Sequence, residues 1–172
     1  MPKFAVISPT HITGKKKEAW GNFKNGGYIA MVSRIKEDLS NKSKNQRLEI
    51  VRISYSESEL TKRLKEFSVF FSLSAGDYVA VNNTNDGLFG IGAITGDYHF
   101  RLNGHNTGST NPDDFYSHFY PVKWLVTTYH KRKDILNPGE KGWPPYGIIS
   151  LLPGIPEYAK RILTKSEIKL NG

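Results

Sequence analysis

Residues 87–100 have the sequence GLFGIGAITGDYHF, in which four glycines stand among apolar residues before the chain becomes aromatic and polar. Gly90 and Gly92 are two positions apart, so in a β-strand they lie on the same face. A strand face without side chains allows a sheet to bend, and it also allows a flat group to lie against the backbone. The stretch therefore predicts a barrel-closing bend, the floor of a pocket, or both.

These glycines do not form a phosphate-binding loop. The dinucleotide fingerprint G-x-G-x-x-G requires a third glycine where this chain has Thr95, and Gly96 comes one residue late. An aromatic, strand-like segment follows instead of the helix that such a loop requires. The P-loop signature is also missing, because Gly14 and Lys15 are followed by Lys16 rather than by Ser or Thr. Both phosphate-loop interpretations are excluded.

The flanking sequence places this stretch in a sheet. Residues 76–83 are predicted as a strand, residues 85–87 supply Asn-Asp-Gly turn chemistry, and residues 88–96 return as the partner strand. Further strands are predicted at residues 3–9, 28–33 and 120–129. Predicted helices occupy residues 13–27, 56–73 and 154–168. The rest is a basic loop at 34–47 that can contain one helical turn, an ambiguous segment at 48–55, and long loops at 97–118 and 130–147.

Strands thus outnumber helices and follow one another as hairpins. This order predicts an α+β fold, with a curved, mainly antiparallel sheet or small β-barrel flanked by helices. A chain of 172 residues has the length of one domain. We expect residues 1–172 to form a single module, the N-terminal part of a longer protein.

Composition excludes several classes of protein. The chain has no cysteine, which rules out disulfides, cysteine-bound zinc and thiol catalysis. No apolar run approaches the ~20 residues of a membrane span, and the first residues lack the pattern of a signal peptide. We therefore expect a cytoplasmic protein with no membrane partner.

The formal net charge of +8 is concentrated in the first third of the chain. Residues 1–65 contain 14 Lys and Arg against 6 Asp and Glu, whereas residues 66–172 contain 10 of each kind. One-sided positive charge indicates a polyanionic partner such as nucleic acid. A lysine-rich solvated surface would give the same count, so charge alone leaves both interpretations open.

Aromatic residues cluster in and beside the loop predicted after the glycines. A cage of such rings can hold a nucleobase by stacking, at roughly 1–3 kcal/mol per base. Packing in the core is the alternative for each ring, because large aromatic side chains mostly bury area. The residues concerned are Tyr98, Phe100, Phe115, Tyr116, Phe119, Tyr120 and, on the next strand, Trp124.

The titratable residues of the same segment form no catalytic motif. His99, His105 and His118 share it with Asp97, Asp113 and Asp114, at spacings unlike H-E-x-x-H, and no G-x-S-x-G is present. We therefore predict no catalytic residue, no metal, no cofactor and no enzymatic activity. A small metal-dependent hydrolase that uses these histidines and aspartates is the alternative from a different class.

Several short segments, in order, resemble the EVE and YTH branches of the PUA-like domains. They are EAWGNFKNGGYIAMV (18–32), EDLS (37–40), GDYVAVNN (76–83), GIGAITGDYHF (90–100) and YPVKWL (120–125). The combination is most similar to the N-terminal DNA-binding domain of McrB-type AAA+ GTPases of modification-dependent restriction systems. The resemblance implies a PUA-like sheet or barrel.

The resemblance also implies a function. Domains of this kind bind methylated duplex DNA, carrying 5-methylcytosine or N6-methyladenine, and flip the modified base into an aromatic pocket. The partners would be that DNA, an AAA+ motor domain in the same longer chain, and a nuclease subunit. Any GTPase or nuclease activity would lie outside this chain. A YTH-like reader of N6-methyladenosine in single-stranded RNA is the nearest alternative.

Two sets of residues are candidates for this function. The pocket would be formed by Trp20, Ser33, Asn82, Asn83, Asp97, Tyr98, Phe100 and Trp124. The phosphates would be contacted by Lys15, Lys16, Lys17, Arg34, Lys36, Lys131 and Arg132. One departure from the family pattern concerns the strand that contains GYIA, because Ser33 stands where a tryptophan usually completes the pocket.

Overall fold

The computed structural model of the chain describes residues 1–106, 115–144 and 147–166. Within these ranges strands and helices alternate along the chain. The strands are β1 (Phe4–Ile7), β2 (Tyr28–Ser33), β3 (Tyr78–Asn83), β4 (Gly87–Ile94), β5 (His99–Asn106), β6 (Phe115–Val126), β7 (His130–Lys131) and β8 (Ile149–Leu152). The helices are α1 (Lys16–Gly26), α2 (Lys44–Ser54), α3 (Glu57–Phe70), α4 (Arg132–Ile135) and α5 (Glu157–Lys165).

The strands form one strongly curled sheet in the order β2-β6-β4-β3-β1-β8, with β5 paired to β6 and β7 paired to β4. The pairing of β1 with β3 is parallel, and the other strand pairs are antiparallel. The 12-residue β6 holds the half-barrel together, because β2, β4 and β5 all pair with it. The predicted α+β class, with a curved, mainly antiparallel sheet flanked by helices, is confirmed at this level.

Each face of the sheet has its own apolar cluster. Alternate residues of β3 show the division, since Val79 and Val81 belong to the larger cluster and Ala80 to the smaller one. The larger cluster includes Phe23 of α1 and Phe67 of α3, both fully buried. The smaller cluster lies against α5 and includes Trp143, Tyr158 and Ile162. Each fully buried ring of this kind contributes about 1.5–3 kcal/mol through removal of apolar surface from water.

The glycine-rich face of β4 is covered by the chain's own indole rings. A Cβ placed on Gly90 would lie 2.6 Å from Cη2 of Trp20 and 2.6 Å from the carbonyl oxygen of Val126. A Cβ placed on Gly92 would overlap Cγ1 of Val122 and would lie 2.8 Å from Cε3 of Trp124. The two missing side chains therefore make room for tryptophans, and the flat groups that lie against this backbone are internal.

This packing predicts a stability effect. Gly90→Ala should lower the free energy of unfolding by about 1–3 kcal/mol, because the added methyl overlaps both an indole ring and a backbone oxygen. Gly21→Ala in α1 is the matched control, since a Cβ there meets no heavy atom within 4 Å. We expect this control to gain about 0.5–1 kcal/mol from helix propensity. Urea denaturation measures both, and an unchanged midpoint for Gly90→Ala would contradict the described contact.

The loops predicted at 97–118 and 130–147 are wrong, since the second contains β7 and α4, and the helical turn allowed within 34–47 is the start of a longer helix. Helix α2 begins at Lys44, inside the predicted loop 34–47, because Ser43 and Gln46 form a capping box. The Oγ of Ser43 accepts from the Gln46 backbone N–H at 3.3 Å, and Oε1 of Gln46 accepts from the Ser43 backbone N–H at 2.9 Å. The predicted loop 97–118 contains β5 and the start of β6. Its polar side chains hid the strand pattern. Residues 107–114, including Asp113 and Asp114, lie outside the described residues.

Strand β8 was not predicted at all, although α5 was. Helix α5 begins at Glu157, inside the predicted helix 154–168, and Pro156 is its N-cap, in keeping with the preference for proline at helix starts. Among the described residues, no helix is both long and apolar enough to cross a lipid bilayer.

Candidate nucleic-acid interface

A surface groove runs between α1, the β3–β4 turn and the segment that joins β6 to α4. Its larger part has a volume of about 890 Å³ and lies between α1 and Tyr129. Its smaller part, about 670 Å³, continues from Tyr129 to α4. Asp86 and Tyr129 border both parts, so the two form one continuous surface, called here the basic groove.

Cationic side chains dominate the lining of the basic groove. Six of them border it, against the single carboxylate of Asp86, which gives the lining a formal charge of +5. A concave surface of one sign concentrates its field and attracts polyanions. The six cations are Lys16, Lys17 and Lys24 on the α1 side and Lys131, Arg132 and Lys133 on the α4 side.

The α1 side of the groove follows from helical spacing. Lys17, Gly21 and Lys24 are separated by four and three residues, so they lie on one face of α1 and all border the groove. Lys17 and Lys24 are exposed, and the missing side chain of Gly21 leaves open space between them. Two exposed ammonium groups thus flank an unobstructed stretch of helix surface.

Lys16 has a different environment from its neighbours. Its Nζ donates to the Oγ of Ser8 at 3.0 Å and to Oγ1 of Thr84 at 2.8 Å. Burial lowers the pKa of Lys16, and the nearby carboxylate of Asp86 acts in the opposite direction. Lys16 therefore ties the end of β1 and the β3–β4 turn together at the floor of the groove.

The β3–β4 turn is held in an unusual backbone conformation. Thr84 has a φ of 50°, in the left-handed region that a β-branched residue rarely adopts. Lys16 holds its side chain, and the Nε1–H of Trp143 donates to its carbonyl oxygen at 2.7 Å. Such strain costs on the order of 1–3 kcal/mol and is concentrated at functional sites.

Aromatic rings form one wall of the groove. Trp20 stacks on Phe89 with ring centroids 6.2 Å apart, and Phe89 in turn contacts Tyr129 at 5.4 Å. Trp20 and Phe89 are buried, whereas Tyr129 is 41% exposed. The phenol oxygen of Tyr129 accepts from Nδ2 of Asn83 at 3.3 Å, which fixes the ring. Tyr129 is therefore the ring of this wall that offers a free surface to a ligand.

The structure brings some predicted pocket residues to the groove and not others. Trp20 and Asn83 border it. Trp124 packs against Trp20 in a T-shaped pair with ring centroids 4.7 Å apart, and its Nε1–H donates to the carbonyl oxygen of Phe23 at 3.0 Å, so it supports the groove wall. Asn82 is buried and does not border the groove, and its Oδ1 has no hydrogen-bond partner among the described residues.

Ser33, Tyr98 and Phe100 belong to a separate cluster around buried His118. The phenol of Tyr98 lies 2.7 Å from Nδ1 of His118, whose Nε2 lies 2.9 Å from the carbonyl oxygen of Ile35. The carbonyl can only accept, so Nε2 carries the proton and Nδ1 accepts from Tyr98. Ser33 accepts from the Ile35 N–H at 2.9 Å, and the ring of Phe100 lies 5.5 Å from that of His118. Asp97, next to Tyr98 in the sequence, is exposed and does not border the groove.

The His118 cluster predicts a loss of stability in acid. Burial lowers the pKa of His118 to about 4. An unfolded histidine titrates near pH ~6.5, so the unfolded chain takes up the proton first as the pH falls. The contribution is complete above pH ~6.5 and is lost progressively between ~6.5 and 4, by about 3 kcal/mol in total.

Urea denaturation at several pH values tests this prediction. His118→Gln should flatten the decline in unfolding free energy between pH ~6.5 and 4, whereas His11→Gln, at an exposed position, should leave it in place. A decline of the same size in both variants would assign the acid sensitivity to other groups.

The predicted phosphate contacts divide in the same way as the pocket residues. Lys16, Lys17, Lys131 and Arg132 border the groove. Lys15 instead pairs with Glu18 at 3.0 Å. The guanidinium of Arg34 makes two bonds to Glu59, at 3.0 and 3.1 Å, and Lys36 is exposed away from the groove.

Sequence reasoning missed four residues that shape the groove. Lys24 follows Lys17 at helical spacing, Tyr129 directly precedes the basic cluster HKRK (130–133), and Lys133 is the last residue of that cluster, so these three carried a signal in the sequence. Phe89 carried no such signal, because an apolar residue in a strand ordinarily lies in the core.

The residues of the alternative hydrolase do not converge in the described part of the chain. His118 is enclosed by Tyr98 and Ile35, and His99 stacks on Phe119 with ring centroids 5.4 Å apart. The described residues contain no group of three or more His, Asp or Glu side chains placed to hold a metal ion. The side chain of His105, like Asp113 and Asp114, lies outside the described residues.

Fold and groove together define an α+β half-barrel domain with a cationic, aromatic-walled surface groove. By sequence, the chain belongs to the family described as Domain of unknown function (DUF8426), whose profile matches residues 7–142. The matched range contains every residue that borders the basic groove. No curated protein matches the chain.

Proposed function

We propose that this chain is a PUA-like nucleic-acid-binding domain, and that the basic groove is its binding surface. The observation that carries the proposal is the exposed ring of Tyr129 between two clusters of cations, with one carboxylate among six positive groups. The curled half-barrel is compatible with the PUA-like fold that the sequence resemblance implies.

The cations would bind phosphates on both sides of Tyr129. Lys17 and Lys24 project from one face of α1, and Lys131 and Lys133 from the opposite side of the groove. Such contacts position a nucleic acid without reading its sequence, and each displaces condensed counterions. Binding should therefore be tight at low salt and weaken steeply as salt rises.

The larger part of the groove would receive a base. Its volume of about 890 Å³ lies in the range of ligand sites, and Tyr129 supplies a stacking surface. Asn83, Thr84 and Thr127 border the same space and offer polar groups to a base edge. In duplex DNA the base would first be flipped, at a cost of a few kcal/mol that stacking and edge hydrogen bonds offset.

We further propose, from the resemblance to McrB-type domains, that the preferred ligand is methylated duplex DNA. The domain would then be the specificity module of a modification-dependent restriction system, with its AAA+ motor and nuclease located elsewhere. A single methyl group supports a discrimination of only about 1–3 kcal/mol. We place the base in the groove rather than at Ser33, Tyr98 and Phe100, because Ser33 and Tyr98 are buried and Phe100 is half-buried against His118.

A titration against matched oligonucleotides tests the proposal. The set contains one sequence as unmodified, 5-methylcytosine and N6-methyladenine forms, each as duplex DNA, single-stranded DNA and single-stranded RNA. We expect salt-dependent binding, with about five- to 150-fold preference for one methylated duplex. Preference for N6-methyladenosine in single-stranded RNA would favour the YTH-like alternative. No binding to any member at low salt would overturn the nucleic-acid function.

A further inference from the structure

A second, smaller pocket lies between the segment β7–α4 and helix α5. Its volume is about 380 Å³, and its polar lining residues are His130, Asp134, Asn137, Tyr158, Arg161 and Lys165. None of these residues borders the basic groove. The pocket is therefore separate from the site described above, and nothing in the proposed function uses it.

Two of the residues that line this pocket each carry a buried polar atom without a partner in the part of the chain that the structure describes. These atoms are the phenol oxygen of Tyr158, whose side chain is fully buried, and Nε2 of His130. A buried polar group without a hydrogen bond costs about 1–3 kcal/mol, and native proteins rarely leave one unpaired. Two such atoms on residues that line one pocket indicate that a polar ligand completes them.

The pocket offers hydrogen-bond donors from the Tyr158 hydroxyl and the Arg161 guanidinium. Burial raises the pKa of Tyr158, so its hydroxyl keeps its proton and donates at neutral pH. Arg161 is held in place by bonds to the carbonyl oxygen of Ile135 (2.5 Å) and to Glu140 (2.6 Å). Its guanidinium has five N–H donors in all, which leaves donors for a ligand.

The charges point to an anion. Arg161 and Lys165 are positive, Asp134 is the one carboxylate in the lining, and Glu140 lies behind Arg161 as its ion-pair partner. Burial and the nearby Lys165 both lower the pKa of His130, so its ring is neutral at pH 7. An oxyanion matches two cations and a fixed phenol donor, because its oxygens accept and carry the opposite charge.

We propose that this pocket binds a phosphate group, carried either by a free nucleoside monophosphate or by a nucleic-acid backbone. The volume exceeds that needed for the phosphate alone and leaves room for an attached sugar. Strand β7 connects the pocket to the groove, because His130 borders the pocket while the next residue, Lys131, borders the groove. A phosphate bound there would fix the segment that carries Lys131, Arg132 and Lys133.

The test uses the whole chain and three probes: inorganic phosphate, a nucleoside monophosphate and an unmodified oligonucleotide. Tyr158→Phe removes only the unpartnered hydroxyl, so the variant should fold with equal or greater stability. Lys165→Gln removes a pocket cation, and Lys160→Gln, on the same helix but outside the pocket, is its control. Binding is measured by isothermal titration and by the ligand-dependent rise in Tm, with sodium chloride matching ionic strength.

We expect Tyr158→Phe and Lys165→Gln each to weaken at least one probe by roughly tenfold, as for loss of a charge-assisted hydrogen bond, with Lys160→Gln unchanged. Weakened binding of the monophosphate or inorganic phosphate assigns a free ligand, and weakened binding of the oligonucleotide alone assigns the backbone. Wild-type affinity of both pocket variants for all three probes, or no binding of any probe, would overturn the proposal. The groove variants are measured separately, so either site can fail without the other.

Discussion

Replacing Lys17, Lys24, Lys131 and Lys133 together by alanine is expected to lower affinity for all nucleic acids alike and to flatten its dependence on salt. Each phosphate contact contributes about 0.9 to the slope of log K against log salt for duplex DNA. The magnitude of that slope should therefore fall by about 3–4. Preference between methylated and unmethylated duplexes should persist, because phosphate contacts carry no base information.

These four lysines are chosen because removing them should leave the fold intact. Lys16 and Arg132 also border the groove, but Lys16 bridges Ser8 and Thr84, and the guanidinium of Arg132 lies 4.5 Å from the ring centroid of Trp143. Truncating either would disturb packing as well as charge. Fluorescence anisotropy between 50 and 300 mM salt, a range of about sixfold, measures the slope.

The control removes the same net charge from lysines that do not border the groove. Alanine at Lys44, Lys62, Lys65 and Lys160 changes the overall charge by the same amount, and none of the four borders the groove. We expect this control to lower the association rate slightly and to leave the slope nearly unchanged. Equal slopes for the two quadruple variants would place the phosphate-binding surface elsewhere.

The sequence was sufficient for the β3–β4 hairpin because its signals there are local. The Asn-Asp-Gly turn specified the β3–β4 hairpin, and the short apolar run within residues 76–83 specified its first strand. Strand β5 had no comparable signal, since it pairs only with β6 in the described residues and its side chains are largely polar. An edge strand is stabilised by its neighbour rather than by its own pattern.

The site was predicted only in part because surface grooves are formed by residues distant in sequence. The concentration of positive charge in residues 1–65 was a correct count, yet much of it is used internally: Lys15 with Glu18, Arg34 with Glu59 and Arg63 with Glu66 all form ion pairs. Half of the groove's cations come from residues 131–133. These residues lie in the part of the chain, 66–172, whose positive and negative charges are equal in number. Only the curl of the sheet places them opposite α1.

The glycines of β4 show that one sequence feature can be compatible with two different structures. Their spacing predicted a bare strand face, and the structure has that face. Spacing does not determine what covers the face, since an internal ring and a bound base satisfy the same geometry. Trp20 and Trp124 cover it here. The exposed ring that remains for a ligand is Tyr129, four residues beyond the end of the YPVKWL segment (120–125).

Tyr129→Ala is expected to lower affinity for the preferred nucleic acid by roughly five- to 150-fold, the equivalent of about 1–3 kcal/mol of stacking. The salt slope should stay unchanged, since a neutral ring displaces no counterions from phosphates. This pattern is the opposite of that expected for the lysines, where the slope changes and base preference persists. The two groups of residues are therefore distinguishable in one set of titrations.

Tyr129→Phe is the matched control for the ring. It keeps the stacking surface and removes only the phenol oxygen that accepts from Asn83 at 3.3 Å. We expect an affinity within about threefold of the wild type, because a neutral surface hydrogen bond contributes about 0.5–1 kcal/mol. If Tyr129→Ala bound as tightly as Tyr129→Phe while both unfolded at the wild-type urea concentration, the base would not stack on Tyr129. The phosphate contacts alone would then account for binding, and a methyl group on a base would have no surface in the groove by which to be recognised.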